Sequence, residues 1–406
     1  MDFVLRNALV IDTDPVVALP GTDVLITDGR IAAVGEGLTA GTVIDCTGRI
    51  VLPGFVDTHR HLWQVLVRSF LAEMSLGEYL EKILRPVQAV LSPEDLAIGT
   101  LAGALECLAS GITTVQDYSF APTFDHAEAA VQALRESGIR AMYGYGQPVF
   151  GPACSEEDVR RGAGLGGGLV DIALAPLGPS FSDITVVERE WRLARSLGLR
   201  VVTHVAGHDN PISALRDRGL LDANTTFAHG NDLGDDELKL IAEAGAGLSL
   251  APAVEAAMGH GKPMVRRTRA LGVPTGLGVD SVTVVAGDMF SLMRATLLSA
   301  HLSEGAHVTP ADVLRMATIE GAAVIGMADR VGSLGVGKQA DLVVLRADDL
   351  NLLGAHDPIA AVVSAAHPGN VEKVFVGGVR SQRQDVRLQL DGLSSAAKSR
   401  IRPGNR

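Results

Sequence analysis

Aromatic side chains are scarce here, 4% of 406 residues, so the few that cluster carry information. Cysteine is scarcer still. Cys46, Cys107 and Cys154 are widely spaced and odd in number, which gives no basis for a disulfide framework or a CxxC zinc site and fits a reducing cytoplasm. No apolar run reaches the ~18–20 residues of a membrane span. Residues 1–7 carry an early acid and alternate apolar with polar, unlike the basic-then-apolar start of a secretory signal. Positive charge is also in deficit: the net charge of −12 argues against a nucleic-acid backbone as partner, because phosphate binding needs a basic surface. Lysine is missing altogether between Lys82 and Lys239.

What the chain has is apolar bulk. A hydrophobic fraction of 47% and a mean hydropathy of +0.24 support a sizeable core, and the length predicts a large domain with a smaller companion. Strand-like stretches at 2–10, 23–26, 30–34 and 42–45 are punctuated by Pro20-Gly21, Asp28-Gly29 and Gly48, with Asp28-Gly29 a hairpin signal. Residues 341–345 and 371–376 have the same character. One small β domain built from both chain ends (1–52 and 331–393) is therefore expected around an inserted domain at 53–330, with a polar tail at 394–406.

The inserted region alternates short β-branched runs with helical stretches. Eight candidate strands fall at 50–56, 112–116, 140–145, 170–175, 200–203, 225–228, 246–250 and 274–279. Ser92-Pro93-Glu94-Asp95 supplies a helix start closed at Gly111, and Asp235-Asp236-Glu237 opens a helix ending at Gly245. Eightfold strand–helix alternation predicts a (β/α)8 TIM barrel. An open doubly wound sheet is the main alternative, but no glycine-rich phosphate loop follows the first strand.

Histidines and acids fall at special places in this scheme. His59 and His61 follow the first strand, His204 the fifth, His229 the sixth and Asp280 the eighth. All five sit at C-terminal strand ends, the face on which barrel active sites are built. Residues i and i+2 on an extended segment share a side, so His59 and His61 can reach one ion.

The stretch Leu52-Pro53-Gly54-Phe55-Val56-Asp57-Thr58-His59-Arg60-His61 resembles the signature of the amidohydrolase superfamily. Ala228-His229-Gly230, Gly278-Val279-Asp280 and the glycine-rich segment from Gly332 to Leu342 resemble its later motifs. Together they cover nearly the whole chain and resemble the branch of cytosine and guanine deaminases and s-triazine hydrolases. The resemblance implies a terminal β-sandwich, and a metal held by His59, His61, His204 and Asp280, with His229 contacting the attacking water or the substrate. A divalent ion lowers the pKa of bound water from 15.7 towards ~7; Asp280 would serve as general base and His229 would stabilise developing charge. Binuclear relatives bridge their metals with a carboxylated lysine near strand 4. No lysine is available there, and residues 170–181 contain no glutamate, so one ion is expected, zinc first and iron second.

One departure matters. Deaminases of this branch carry His-x-x-Glu on strand 5, and here Gly207 occupies the glutamate position of His204-Val205-Ala206-Gly207-His208. Glu255, after strand 7, and His208 are the candidate replacements, with His260 close enough to keep in view. His126, His301, His307 and His356 are expected at the surface. Trp63, Tyr118, Phe120, Tyr145, Phe150 and Phe181 all lie in or after strands 1 to 4, which favours a flat or apolar substrate. Trp63, Tyr118 and Gln64 are its candidate contacts. The expected activity is attack of metal-activated water on a C–N bond of a cyclic or aromatic small molecule, deaminase-like, in a cytoplasmic homo-oligomer. Opening of a lactam-like ring, displacement of another leaving group, and a non-catalytic scaffold are the alternatives.

Overall fold

The structure, a computed structural model, describes residues 2–70, 73–151, 154–303 and 305–381; the polar tail lies outside them. Five strands open the chain: β1 (Phe3–Thr13), β2 (Val16–Thr27), β3 (Arg30–Gly35), β4 (Thr42–Asp45) and β5 (Arg49–Pro53). Eight more follow, alternating with helices: β6 (Phe55–Arg60), β7 (Ile112–Phe120), β8 (Arg140–Gly146), β9 (Val170–Ala175), β10 (Arg200–Val205), β11 (Thr225–His229), β12 (Gly247–Leu250) and β13 (Thr275–Leu277). The chain then returns with β14 (Leu342–Arg346), β15 (Val371–Val376) and β16 (Val379–Arg380).

The terminal strands form one mixed sheet in the order β16-β15-β14-β5-β1-β2-β3, with β4 beside β1. It folds over its own core: Leu5, Val10, Val24, Ile26, Leu342 and Val344 are buried together, and Phe3 stacks on Phe375 at 5.1 Å although β5 and β14 lie between their strands. Burying one face of each alternating strand is what holds chain ends more than 300 residues apart.

Residues 50–56, expected as one strand, are two. Pro53 pairs with Leu342 in the terminal sheet, and Phe55 pairs with Ile112 in the barrel. The chain changes sheets at Gly54, where a Cβ would lie 2.0 Å from Thr113 Oγ1, so only glycine allows the crossing.

Strands β6 to β13 run parallel in sequence order. Their residues are almost all buried, as a sheet covered on both faces requires. Backbone bonds close the ring: Asp280 N–H donates to His59 C=O (2.8 Å) and His61 N–H to Asp280 C=O (3.1 Å). Helix Pro93–Ala109 begins with the Ser92–Asp95 capping box. Helix Ile319–Val324 covers the N-terminal mouth, where Thr226 Oγ1 donates to Val324 C=O (2.8 Å). The C-terminal mouth is left to the loops and to the short helical turns between Leu62 and Gln88.

Candidate metal centre and active site

Four strand ends converge on one point at that mouth. His59 lies within β6 and His61 just beyond it, His204 is in β10, His229 ends β11, and Asp280 follows β13. Donor atoms of His59, His61 and His204 lie within 4.8 Å of one another, as do those of His59, His229 and Asp280. Asp280 Oδ1 is 3.2 Å from His61 Nε2 and 3.4 Å from His59 Nε2; its Oδ2 is 3.6 Å from His229 Nε2. His229 and Asp280 both adopt left-handed backbone (φ +69° and +62°), which turns these side chains inward at a strand end. Non-glycine residues held so cost about 1–3 kcal/mol each and concentrate at functional sites.

The electrostatics suit a cation. Burial holds the His59 imidazole down at about pKa 4 and His204 well below its ordinary value, so both rings are neutral, as metal ligands must be. Burial alone would raise the Asp280 carboxyl, but the imidazoles of His59 and His61 outweigh it and hold it well below the usual range. Both ring nitrogens of His59 are buried without a hydrogen-bond partner. An orphaned imidazole facing a carboxylate and two further imidazoles fits a divalent ion.

Partners behind the cluster fix its orientation. His61 Nδ1–H donates to Tyr118 C=O (2.7 Å), leaving Nε2 for the cluster. His229 Nδ1–H donates to Glu255 Oε1 (3.3 Å). Burial opposes charge on both groups, but their mutual attraction raises the His229 pKa and lowers that of Glu255. Asp57, buried beneath, accepts from Val279 N–H (3.0 Å) and so ties β6 to the segment that carries Asp280. Burial pushes its carboxyl up to about 6 against the pull of Arg60.

A cavity of about 620 Å³ opens onto His61, His204, His229 and Asp280. Trp63, Gln64, Tyr118, Phe120 and Phe181 line it. Gln64 is held by Tyr79 Oη (2.5 Å) and Ser281 Oγ. Tyr118 commits its hydroxyl to Pro176 C=O (2.8 Å) and offers the cavity only its ring. Tyr145 and Phe150 are elsewhere: the first packs under Gly162 and the second under Arg85.

Two expectations about proton delivery need correction. Glu255 does not line the cavity. It sits on helix Pro252–Met258, 2% exposed, with its oxygens bonded to Ala251 N–H (2.8 Å), His229 and Asn231 Nδ2 (3.1 Å). Its oxygens face these partners rather than the cavity, and among the described residues its one link to the histidine–aspartate cluster is the bond to His229. His208 points away as well: it is exposed on the rim, with Nε2 2.8 Å from Ser180 C=O. His126, expected at the surface, is buried between Thr123 Oγ1 (2.8 Å) and Leu91 C=O (3.0 Å). His301, His307 and His356 are exposed.

Other lining groups escaped the sequence reading. Tyr79, Asn231, Asp232 and Ser281 line the cavity. His260, kept in view from the sequence, lines it too, with its ring 5.0 Å from His229. Asp232 and Ser281 follow site residues His229 and Asp280 within a few positions, which was the available signal. Nothing local marks Tyr79, brought in by the turns after β6.

Barrel, convergent strand ends and a metal-suited cluster define a metal-dependent barrel hydrolase. Comparison with known proteins agrees. The amidohydrolase family matches residues 50–380, and the chain belongs to it. It is 32% identical to a 5-methylthioadenosine/S-adenosylhomocysteine deaminase of Symbiobacterium thermophilum, covering 87% of each chain. It is 31% identical to an 8-oxoguanine deaminase of Pseudomonas aeruginosa, covering 92% of each. An adenosine deaminase from Xanthomonas campestris, solved with bound zinc, superposes with a TM-score of 0.90 at 26% identity over 98% of both chains. The protein is thus an enzyme, a metal-dependent hydrolase of C–N bonds in cyclic small molecules.

Proposed function

We propose that the enzyme deaminates a neutral, amino-substituted heteroaromatic base or nucleoside, using one zinc ion held by His59, His61, His204 and Asp280. One observation carries the substrate class. The cavity joins the histidine–aspartate cluster to aromatic and aliphatic walls, and among the described residues no lysine or arginine lines it. A substrate tail bearing phosphate or carboxylate would be desolvated there without a countercharge, at a cost of several kcal/mol. The flat rings of Trp63, Phe120 and Phe181 suit a heteroaromatic face. Deaminases among the relatives and zinc in the Xanthomonas structure support the same reading.

When bound, the ion supplies water acidified enough to act as hydroxide at neutral pH. The chain's own residues do the rest. Asp280 accepts a proton from the nucleophile and can return it to the departing nitrogen. Glu255 favours the charged form of His229, which in that form donates to the oxygen on which charge develops. Gln64, fixed by Tyr79 and Ser281, orients a polar edge of the ring.

The test is ammonia release and ultraviolet change on a panel of adenosine, 5′-methylthioadenosine, S-adenosylhomocysteine and 8-oxoguanine. Neutral members should be turned over with higher kcat/KM than the amino-acid-tailed S-adenosylhomocysteine. Release of ammonia from none of them would sink the reading. Gly207 favours one alternative, displacement of a group that leaves as a stable anion and needs no proton. 6-Chloropurine riboside turned over in preference to every aminopurine would select it. A cytoplasmic setting fits the three free cysteines. Self-association fits exposed Leu298, Leu302, Leu350 and Leu353, and light scattering checks it.

A further inference from the structure

Hydrolytic deamination of an aromatic amidine moves two protons besides forming one bond and breaking another. Water adds to the amino-bearing carbon, the C=N electron pair moves onto the ring nitrogen, and that nitrogen must take a proton. The exocyclic C–N bond then breaks, and the amine needs a proton to leave as ammonia. Water brings both protons, one bound for the ring nitrogen and one for the departing amine, which lie on different sides of the reacting carbon.

Only two carboxylates line the cavity among the described residues, Asp280 and Asp232. Asp280 is engaged by three histidines. Asp232 is on the loop after β11, exposed, and its carboxylate makes no hydrogen bond or ion pair among the described residues. Two glycines hold it in place. A Cβ on Gly207 would lie 2.1 Å from the Asp232 carbonyl oxygen and 2.9 Å from its Cβ, so the Asp232 residue fills the space that a side chain at 207 would enter. On the other flank, Gly261 (φ +118°) lets the backbone approach until an added Cβ would be 3.0 Å from Asp232 Oδ1. The carboxylate is thereby set into the cavity wall beside His260.

Resting on the deaminase reading above, we propose that Asp232 is the acid–base residue that meets the ring nitrogen of the substrate. Its carboxyl gives a proton to that nitrogen as the nucleophile adds, and the proton stays in the lactam product. One proton of the attacking water departs with ammonia through Asp280. The other reaches Asp232 through bulk water at the open mouth, so no proton is gained or lost over the cycle. Glu255 and His208 are thereby released from the role. His260, whose Nε2 has no partner, is the rival group.

The experiment compares Asp232→Asn, Asp232→Glu, Gly261→Ala and His260→Asn in the metal-loaded enzyme, on the aminopurine that the wild type turns over fastest. Asp232→Asn should lower kcat about 10²–10⁴-fold, the worth of a positioned acid or base, with metal content and melting temperature unchanged. Asp232→Glu should recover part of the loss, and Gly261→Ala, which crowds the carboxylate, should reproduce part of it. KM should change less than kcat. An Asp232→Asn enzyme with near-normal kcat, a loss that tracks with metal, or a large loss in His260→Asn alone would each overturn the assignment. A wild type inactive on every aminopurine would overturn the proposed function and this role with it, whereas an active wild type with an unimpaired Asp232→Asn variant would overturn this role only.

Discussion

At the floor of the cavity, His59, His204 and Asp280 stand on strand ends bonded to one another through the barrel backbone. On the rim, Asp232, His260 and His208 ride on loops that touch chiefly through their glycines. His59 and Asp280 are buried, and the donor atoms of His59, His229 and Asp280 lie within 4.8 Å of one another, so charge is tolerated there only through pairing or a metal. The rim is partly open to water, and the exposed Asp232 carboxylate needs no partner to exist. Position is enforced by hydrogen-bonded sheet in the first case and by close backbone approach in the second. The floor should therefore govern whether the enzyme holds metal, and the rim how fast and on what it acts.

The sharpest way to break that division is to remove a ligand. His59→Ala or Asp280→Ala should leave a chain with no metal by elemental analysis and no measurable turnover, against about one ion per chain in the wild type. Two tightly held ions in the wild type would contradict the single-ion centre.

Glu255→Gln tests the layer beneath the floor. It should cost about 10–100-fold in kcat, typical of losing the partner that orients a site histidine, while metal stays bound. The sign of its pH effect follows from the pair. Glu255 raises the His229 pKa, so the neutral glutamine should lower the pH at which His229 loses its proton, visible in the imidazole resonances of metal-free protein. An unmoved resonance would show that Glu255 does not control His229.

A smaller effect is expected where floor meets rim. Gly207→Ala forces a Cβ against the Asp232 carbonyl and should destabilise by about 1–3 kcal/mol, the usual cost of overpacking. Gly41→Ala, with open space around it, should leave the melting temperature unchanged. Equal melting curves for the two would refute the close contact. The least effect belongs to His208→Asn, since His208 bonds only the Ser180 carbonyl; a large loss of kcat there would return it to the active site.

Much of the floor was legible because its geometry is local. The i, i+2 spacing of His59 and His61 and the placement of His204, His229 and Asp280 after β-branched runs state which face each residue takes. The rim was not legible in that way. Glu255 looked like a loop acid after strand 7, but a short helix turns it behind His229. Asp232 is one of three acids in Asn231-Asp232-Leu233-Gly234-Asp235-Asp236, and only the packing of the loop against Gly207 singles it out.

The sequence by itself determined the barrel, the terminal strands and the convergence of histidines on one mouth, because period, turn residues and strand-end position are properties of neighbouring residues. Tertiary structure alone decided that residues 50–56 divide between two sheets at Gly54, that Tyr79 reaches the cavity, and that Glu255 lies behind the site while Asp232 lies within it. Those outcomes depend on contacts between segments tens to hundreds of residues apart, where the space left by a glycine in one loop is filled by the backbone of another.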